Sequence, residues 1–389
     1  MPSTPSARLT AASATVVMTF VADKPEDQGM QPLNVALCVD GHALDRFGRV
    51  LRHLLVGLID QTAKLRLVSS DPRTESLAFG PVQALVLPPI RWPMTGRRIA
   101  QFVEALSPHP PTIVHALSGT SYRVGAALAE AFDADLVLQV TSLKDCATVA
   151  HLDTKHVGRF LALSPPLAAA IHERAEISEE RIDLVRPGVL VSPRAACYAE
   201  AERLPTILCL SALERRSGVD RLLEAVHLLR KRGHAFLLFL LGRGRHEVSL
   251  RRIIQDRRLS AYVTLANPAG DPTQVMNSAD IFVRPSADTS FVADVLQAMG
   301  AGMAVVTLAS TVCDYLRDGE TVLLCDRPSA ESLADALERL ITDRAEAQRL
   351  ATTAMEYVRS NHPVSAMAEQ TADAYRKLAL ARATFPIKE

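Results

Sequence analysis

ADIFVRPSADTSFVADVLQAMGAGMAVVTL, residues 279–308, contains a complete strand, helix and strand. An apolar run at 281–283 stops at Arg284 and Pro285, small polar residues follow, a helical pattern runs from Phe291 to Gly300, and MAVVTL resumes strand character. Strands that are apolar throughout and joined through a helix imply a parallel sheet buried on both faces, with right-handed crossovers.

The same alternation extends in both directions. Upstream in the second half come TILCLS from Thr206, a helix from Val219 to Arg232, FLLFLLG, a helix from Glu247 to Arg258, and VTLAN. The first half reads LNVALCVD, a helix from Arg46 to Asp60, LRLVSS, VQALVLP, a helix from Gly96 to Leu106, TIVHAL, a helix from Tyr122 to Phe132, and DLVLQV. Two amphipathic helices follow Ser329. Between the halves, Arg181 to Leu204 contains prolines and irregular polarity, as an interdomain connection does. The fold class is therefore α/β with two parallel sheets. Residues 22–32, polar with two prolines, read as a flexible lead-in, and the folded part is expected to begin at Leu33.

At 389 residues the chain exceeds what one core usually organises, which agrees with two domains. Lys plus Arg equals Asp plus Glu at 43 each and aromatic residues are scarce, so neither a net field nor a stacking surface recruits nucleic acid. Six scattered cysteines without a C-x-x-C pair suit a reducing compartment. The longest apolar run, Ala235 to Leu241, is far below the roughly 20 residues of a membrane helix, and the first 20 residues lack a clean signal-peptide core. The expected location is cytoplasmic, with peripheral membrane contact left open.

Three glycine-bearing turns fall at strand ends, where open α/β sheets bind ligands. Gly242 and Gly244 follow FLLFLL, but the third glycine of a dinucleotide fingerprint is missing; a tight strand-to-helix turn is the plain alternative. GHALDRFGRVLRHLLVGL follows the first strand, and Gly48 with its neighbours is expected to offer backbone amides to a phosphate or sugar. PSADTSFVAD leads into the helix at Phe291, where small polar residues can cap the helix or leave room for an anion. The arginine-rich stretches ERRS, LRKRG, GRGRH and LRRIIQDRR read as solvated faces, with a basic rim guiding a diphosphate or meeting anionic lipid as the functional alternative.

In this order the motifs resemble the family 4 retaining glycosyltransferases. SALERRSGVDRLLEAV, LLGRGRHEVSL, the 279–306 run and DYLRDGETVLLCDRPSAESLADAL carry the resemblance in the second half, and it is strong there. TIVHALSG with His115, LALSPPLAAAI and RIDLVRPGV carry it more weakly in the first. The resemblance implies the GT-B architecture. Residues 1–32 would be the flexible segment and 33–195 an acceptor-side Rossmann-like domain. Residues 196–362 would be a nucleotide-sugar domain, and 363–389 a helix packing back on the first domain. It also implies a nucleotide-sugar donor, a glycan or lipid-linked acceptor, and neither metal nor other cofactor.

The departures concern the donor site. Thr289 and Gln297 occupy the positions of the family's paired glutamates, and Ala212 and Ser217 those of the Arg and Lys that neutralise the diphosphate. Thr141 stands roughly where family members often have a cleft histidine, and Arg186 replaces the Asn of the usual Pro-Asn-Gly turn before Gly188. Replacement contacts are expected from Arg215, Arg216, Ser217, Ser290, Phe291 and Gln297, with Arg243 and Arg245 near and His115 and Thr141 on the acceptor side. Two readings follow: a divergent enzyme with an altered donor site, or a non-catalytic relative that uses the scaffold for binding. A sugar-nucleotide epimerase would need Asp288, Asp294 and His115 to converge; as a cap, a solvent-facing helical residue and a satisfied strand-end histidine, each has a simpler explanation.

Overall fold

The computed structural model describes residues 33–87, 95–200, 202–267, 272–287 and 289–384. The lead-in and Asp288 lie outside them. The first sheet contains β1 (Asn34–Val39), β2 (Lys64–Ser69), β3 (Val82–Val86), β4 (Ile113–Ala116), β5 (Asp135–Val140), β6 (Val157–Ala162) and β7 (Ile182–Leu184). All are parallel, in the order β3-β2-β1-β4-β5-β6-β7. The second contains β8 (Thr206–Leu210), β9 (Leu237–Leu241), β10 (Val263–Ala266), β11 (Ile281–Arg284), β12 (Ala304–Leu308) and β13 (Leu323–Cys325), parallel in the order β10-β9-β8-β11-β12-β13.

Central strands read as continuous apolar runs because helices cover both faces: Val35 to Val39 and Thr206 to Cys209 are all buried. The three-residue strands β7 and β13, and β6 with Gly158 and Arg159 interrupting its apolar run, carry too little signal to stand out in sequence, and they complete the two sheets. Asp280 shows why β8 and β11 start together. At 1% exposure its carboxylate accepts from the Thr206 amide (2.8 Å) and hydroxyl (2.6 Å) and from the Tyr198 amide (2.8 Å), with Arg203 at 3.3 Å.

The first helix occupies Gly41–Leu58, five residues earlier than its apolar period suggested, because Asp40 caps it by accepting from the Ala43 amide at 2.7 Å. The helix after β11 instead begins late, at Ala293, since Phe291 and Val292 are held in a loop. The C-terminal helix Val364–Thr384 lies on the first domain, against the helix Gly41–Leu58 and strands β6 and β7. Its Lys377 reaches Asp183 at 2.7 Å, beside Arg159 at 2.6 Å, and the Tyr375 hydroxyl lies 2.8 Å from His115 Nδ1. Fully buried His115 is therefore a tie between β4 and this helix, with its Nε2 left without a partner among the described residues, and the expectation that it contacts an acceptor is corrected because it is shut in the interior.

Burial lowers the His115 pKa to about 3, and lowers that of His362 to about 4 although Nδ1 lies at the Pro187 carbonyl. The ordinary value is about 6.5, so at pH 5 the unfolded chain binds protons that the folded protein refuses. Stability should thus be full above about pH 6.5 and fall as pH drops toward 4, by up to about 1.4 kcal/mol per pH unit for each histidine. Urea unfolding at pH 7 and pH 5 checks this: His115→Gln should lose less between the two than the natural chain, and equal losses would remove His115 from the account.

Candidate functional site

Three loops meet at the carboxyl edge of the second sheet. The loop after β8 is bonded to the loop after β9: the Leu213 amide donates to the Arg243 carbonyl and the Leu213 carbonyl accepts from the His246 amide, both at 2.9 Å. The approach is so close that a Cβ on Gly242 would lie 1.9 Å from the Ser211 oxygen, and one on Gly244 2.1 Å from the Leu213 oxygen. Both positions therefore require glycine for loop-on-loop packing. Arg221 donates to the Pro285 carbonyl at 3.1 Å and binds the loop after β11 to the same assembly. His246 and Asp220 add a side-chain pair at 2.9 Å.

The arginines of this edge differ in their engagement. Arg215, Arg216 and Arg245 are exposed, with no side-chain partner among the described residues. Arg284 instead pairs with Asp294 at 2.6 Å, so Asp294 is an ion-pair partner at the strand end and not a solvent-facing residue. Ser217 donates to the Glu214 carbonyl at 2.7 Å within its own turn. Gln297 is half-buried on the helix Ala293–Gly300, and its Oε1 is shut from solvent without a partner among the described residues.

At the carboxyl edge of the first sheet, Asp145 is the organising carboxylate. It accepts from the Gly119 amide (3.1 Å) and from the amide (3.0 Å) and hydroxyl (2.7 Å) of Thr141. Ser142 caps the helix Leu143–Val149 through the Asp145 amide at 3.1 Å. The Ser-x-x-acid spacing at 142–145 is a helix-start signal that sequence reading could have used. Asp40 takes the Ser118 hydroxyl as well as capping its own helix.

The two edges are joined directly. The Phe291 amide donates to the Thr141 carbonyl at 2.8 Å, the Leu143 amide donates to the Thr289 carbonyl at 3.0 Å, and Ser142 stands opposite Ser290 in an antiparallel bridge. Phe291, 1% exposed, packs its ring 6.4 Å from Phe47 of the first domain and 5.4 Å from Tyr315 of the second. The Ser164 hydroxyl donates across to the Val312 carbonyl at 2.6 Å, and Arg49 reaches the Met276 sulfur at 3.2 Å. Behind Phe47, a cavity lined by Leu51, Leu117, Leu163 and Met367 measures about 30 Å³, room for about one water.

Of the residues singled out in sequence, Thr141, Thr289, Ser290 and Phe291 are brought together here. The segments bearing Arg215, Arg216, Ser217, Gly242 and Gly244 meet at the neighbouring edge. Gly48 does not join them. It lies inside the helix Gly41–Leu58, where its amide belongs to the helical ladder, so the expectation of an anion cradle there is corrected. Thr141 is also corrected as an acceptor contact: buried, it spends its hydroxyl on Asp145 and its carbonyl on Phe291. Arg186 pairs with Asp314 at 2.7 Å. His115 contacts Tyr375 in the interior while Asp294 pairs with Arg284, so the acid and base an epimerase needs do not converge. Among the described residues no group of three His, Cys, Asp or Glu could hold a metal.

Two Rossmann-like parallel sheets joined at their carboxyl edges, with a C-terminal helix returning to the first, define the GT-B fold of glycosyltransferases. A glycosyltransferase from Rickettsia africae superposes with a TM-score of 0.73 at 16% identity, covering 89% of this chain and 98% of the other. Anabaena HepE in complex with UDP and glucose superposes with a TM-score of 0.72 at 15% identity, covering 89% and 100%. Residues 197–357 match the model of the glycosyl transferases group 1 family. The GDP-mannose-dependent alpha-(1-6)-phosphatidylinositol monomannoside mannosyltransferase of Mycobacterium tuberculosis is 29% identical over 189 residues, 46% of this chain and 49% of the relative. The D-inositol 3-phosphate glycosyltransferase of Paenarthrobacter aurescens is 30% identical over 216 residues, 51% and 53%. The matched region spans about half the length of each relative.

The contrast between the two glycine environments is measurable. Gly242→Ala should destabilise the protein by about 1–3 kcal/mol through overpacking, whereas Gly48→Ala, with nothing within 4 Å of the new methyl, should stabilise it by about 0.5–1 kcal/mol through helix propensity. Urea unfolding of both variants tests the assignment, and a neutral Gly242→Ala would refute the loop-on-loop contact.

Proposed function

We propose that the chain transfers a sugar from a nucleotide-sugar to a glycan or lipid-linked acceptor, with retention and without metal or other cofactor. The observation that supports this most is the convergence of the loops after β8, β9 and β11, with Arg215, Arg216 and Arg245 exposed and unpaired among the described residues. Three guanidinium groups at one sheet edge supply the positive field a diphosphate needs, and forked donors bind its oxygens well. Arg215 and Arg216 would take over the charge absent at Ala212 and Ser217 and stabilise the departing diphosphate electrostatically. The Gln297 Oε1, buried without a partner among the described residues, would accept from a donor hydroxyl once a ligand reaches it. Membrane contact would be peripheral, since among the described residues no helix is long and apolar enough to cross a membrane.

A second reading, a non-catalytic homologue that binds a nucleotide, glycan or protein, draws on a different observation. The backbone of Thr289 and Phe291 is spent on the first domain, and Thr289 offers no carboxylate near a transferred sugar.

The discriminating experiment is a thermal-shift titration with UDP, GDP, ADP and their hexose conjugates, followed by mass spectrometry of sugar release. Ligand at 100 times its Kd should add about 2.7 kcal/mol of stability. Arg215→Ala/Arg216→Ala should weaken that binding at least tenfold, and sugar should be released with the natural chain only. Binding without release favours the non-catalytic homologue; no stabilisation at millimolar nucleotide removes the donor reading.

A further inference from the structure

Two strand-end loops, one at the carboxyl edge of each sheet, are bonded to each other. Thr141–Leu143 follows β5 at the carboxyl edge of the first sheet, Thr289–Phe291 follows β11 at the carboxyl edge of the second, and two main-chain hydrogen bonds of 2.8 and 3.0 Å connect them. The segments are fixed from behind. Asp145 holds the Thr141 amide and hydroxyl, the Tyr315 hydroxyl donates to the Val292 carbonyl, and Phe291 is wedged between Phe47 and Tyr315. These supports lie within the individual domains except at Phe47, so the two hydrogen bonds can part while each loop keeps its shape. An isolated bridge with an apolar wedge is a reversible contact, unlike a strand buried in a sheet.

We propose that this bridge is a latch, which shuts the interdomain face of the site and must part each time a nucleotide-sugar enters or leaves. The proposal rests on the glycosyltransferase reading for its ligand and on the bridge for its mechanics; the Ser164–Val312 and Arg49–Met276 contacts also cross between the domains and part with it. The hydrogen bonds flank the facing pair Ser142 and Ser290, the non-hydrogen-bonded kind of antiparallel pair, whose Cα atoms stand about 4.5 Å apart. Cysteines placed there can therefore be joined by a disulfide.

The test uses the whole chain with Ser142→Cys and Ser290→Cys in a Cys313→Ala background, because the Cys313 sulfur lies 3.9 Å from the Ser290 carbonyl and could capture the new thiol. The other native cysteines are buried. Mild oxidant should cross-link the pair, and association of the stabilising nucleotide-sugar should then slow at least tenfold and recover with dithiothreitol. The reduced variant serves as its own control for the lost Ser142 cap. Failure to cross-link overturns the latch, as does unchanged association in the oxidised protein. If the reduced protein binds no UDP-, GDP- or ADP-hexose, the glycosyltransferase reading fails instead. The latch is then decided by amide exchange at Leu143 and Phe291. A common rate at least tenfold faster than the amides inside β5 and β11 supports it, while unrelated rates or equal protection overturn it.

Discussion

The chain crosses between its domains twice, and the two crossings are hydrogen-bonded to each other. The Val189 amide donates to the His362 carbonyl at 3.0 Å, and His362 Nδ1 lies 2.9 Å from the Pro187 carbonyl. Buried backbone groups must find partners, and here each connector supplies the other's. Outgoing residues then run along the second domain, with the amides of Ser192, Ala196 and Cys197 donating to Gly300, Ala301 and Gly302. The Arg186–Asp314 pair anchors the same junction. Because this junction is fixed, the carboxyl ends of β5 and β11 are presented to each other, and every contact across the site follows from that presentation.

Much of the fold is legible in the sequence because parallel strands and their crossover helices leave distinct apolar periods. The run 279–308 shows both the rule and its limit. Its strands lie where the pattern places them, but the helix starts at Ala293 because Phe291, apolar and at helical spacing, is held by the other domain. Periodicity records that a residue is buried and says nothing of what buries it. Gly48 shows the complementary limit: a glycine near a strand end suggests a turn, yet Asp40 caps the helix far enough upstream to leave it inside.

The site is less legible for a physical reason. Its loops could be located from strand ends, but the bonds joining Thr141, Leu143, Thr289 and Phe291 are main-chain bonds, which any residues but proline can make. Gly242 and Gly244 stand out as residues without saying why, since loop-on-loop packing and a phosphate cradle demand the same absence of a side chain. Carboxylates mislead similarly. Asp40 and Asp145 sit at the carboxyl edge where a catalytic acid would sit, and each is consumed in holding backbone amides. With the local acids so occupied, the electrostatic character of the rim is left to arginine.

The return of the C-terminal helix has a consequence for biosynthesis. The first sheet is complete by Leu184, but its covering layer includes Tyr375, which meets His115, and Lys377, which meets Asp183. Those residues leave the ribosome only after all of the second domain. The second domain is contiguous from β8 to β13 and its helices, so it can close its core during translation while the earlier-made domain waits with one apolar face uncovered. In this protein the half synthesised first is the half finished last, reversing the usual amino-to-carboxyl order of domain folding.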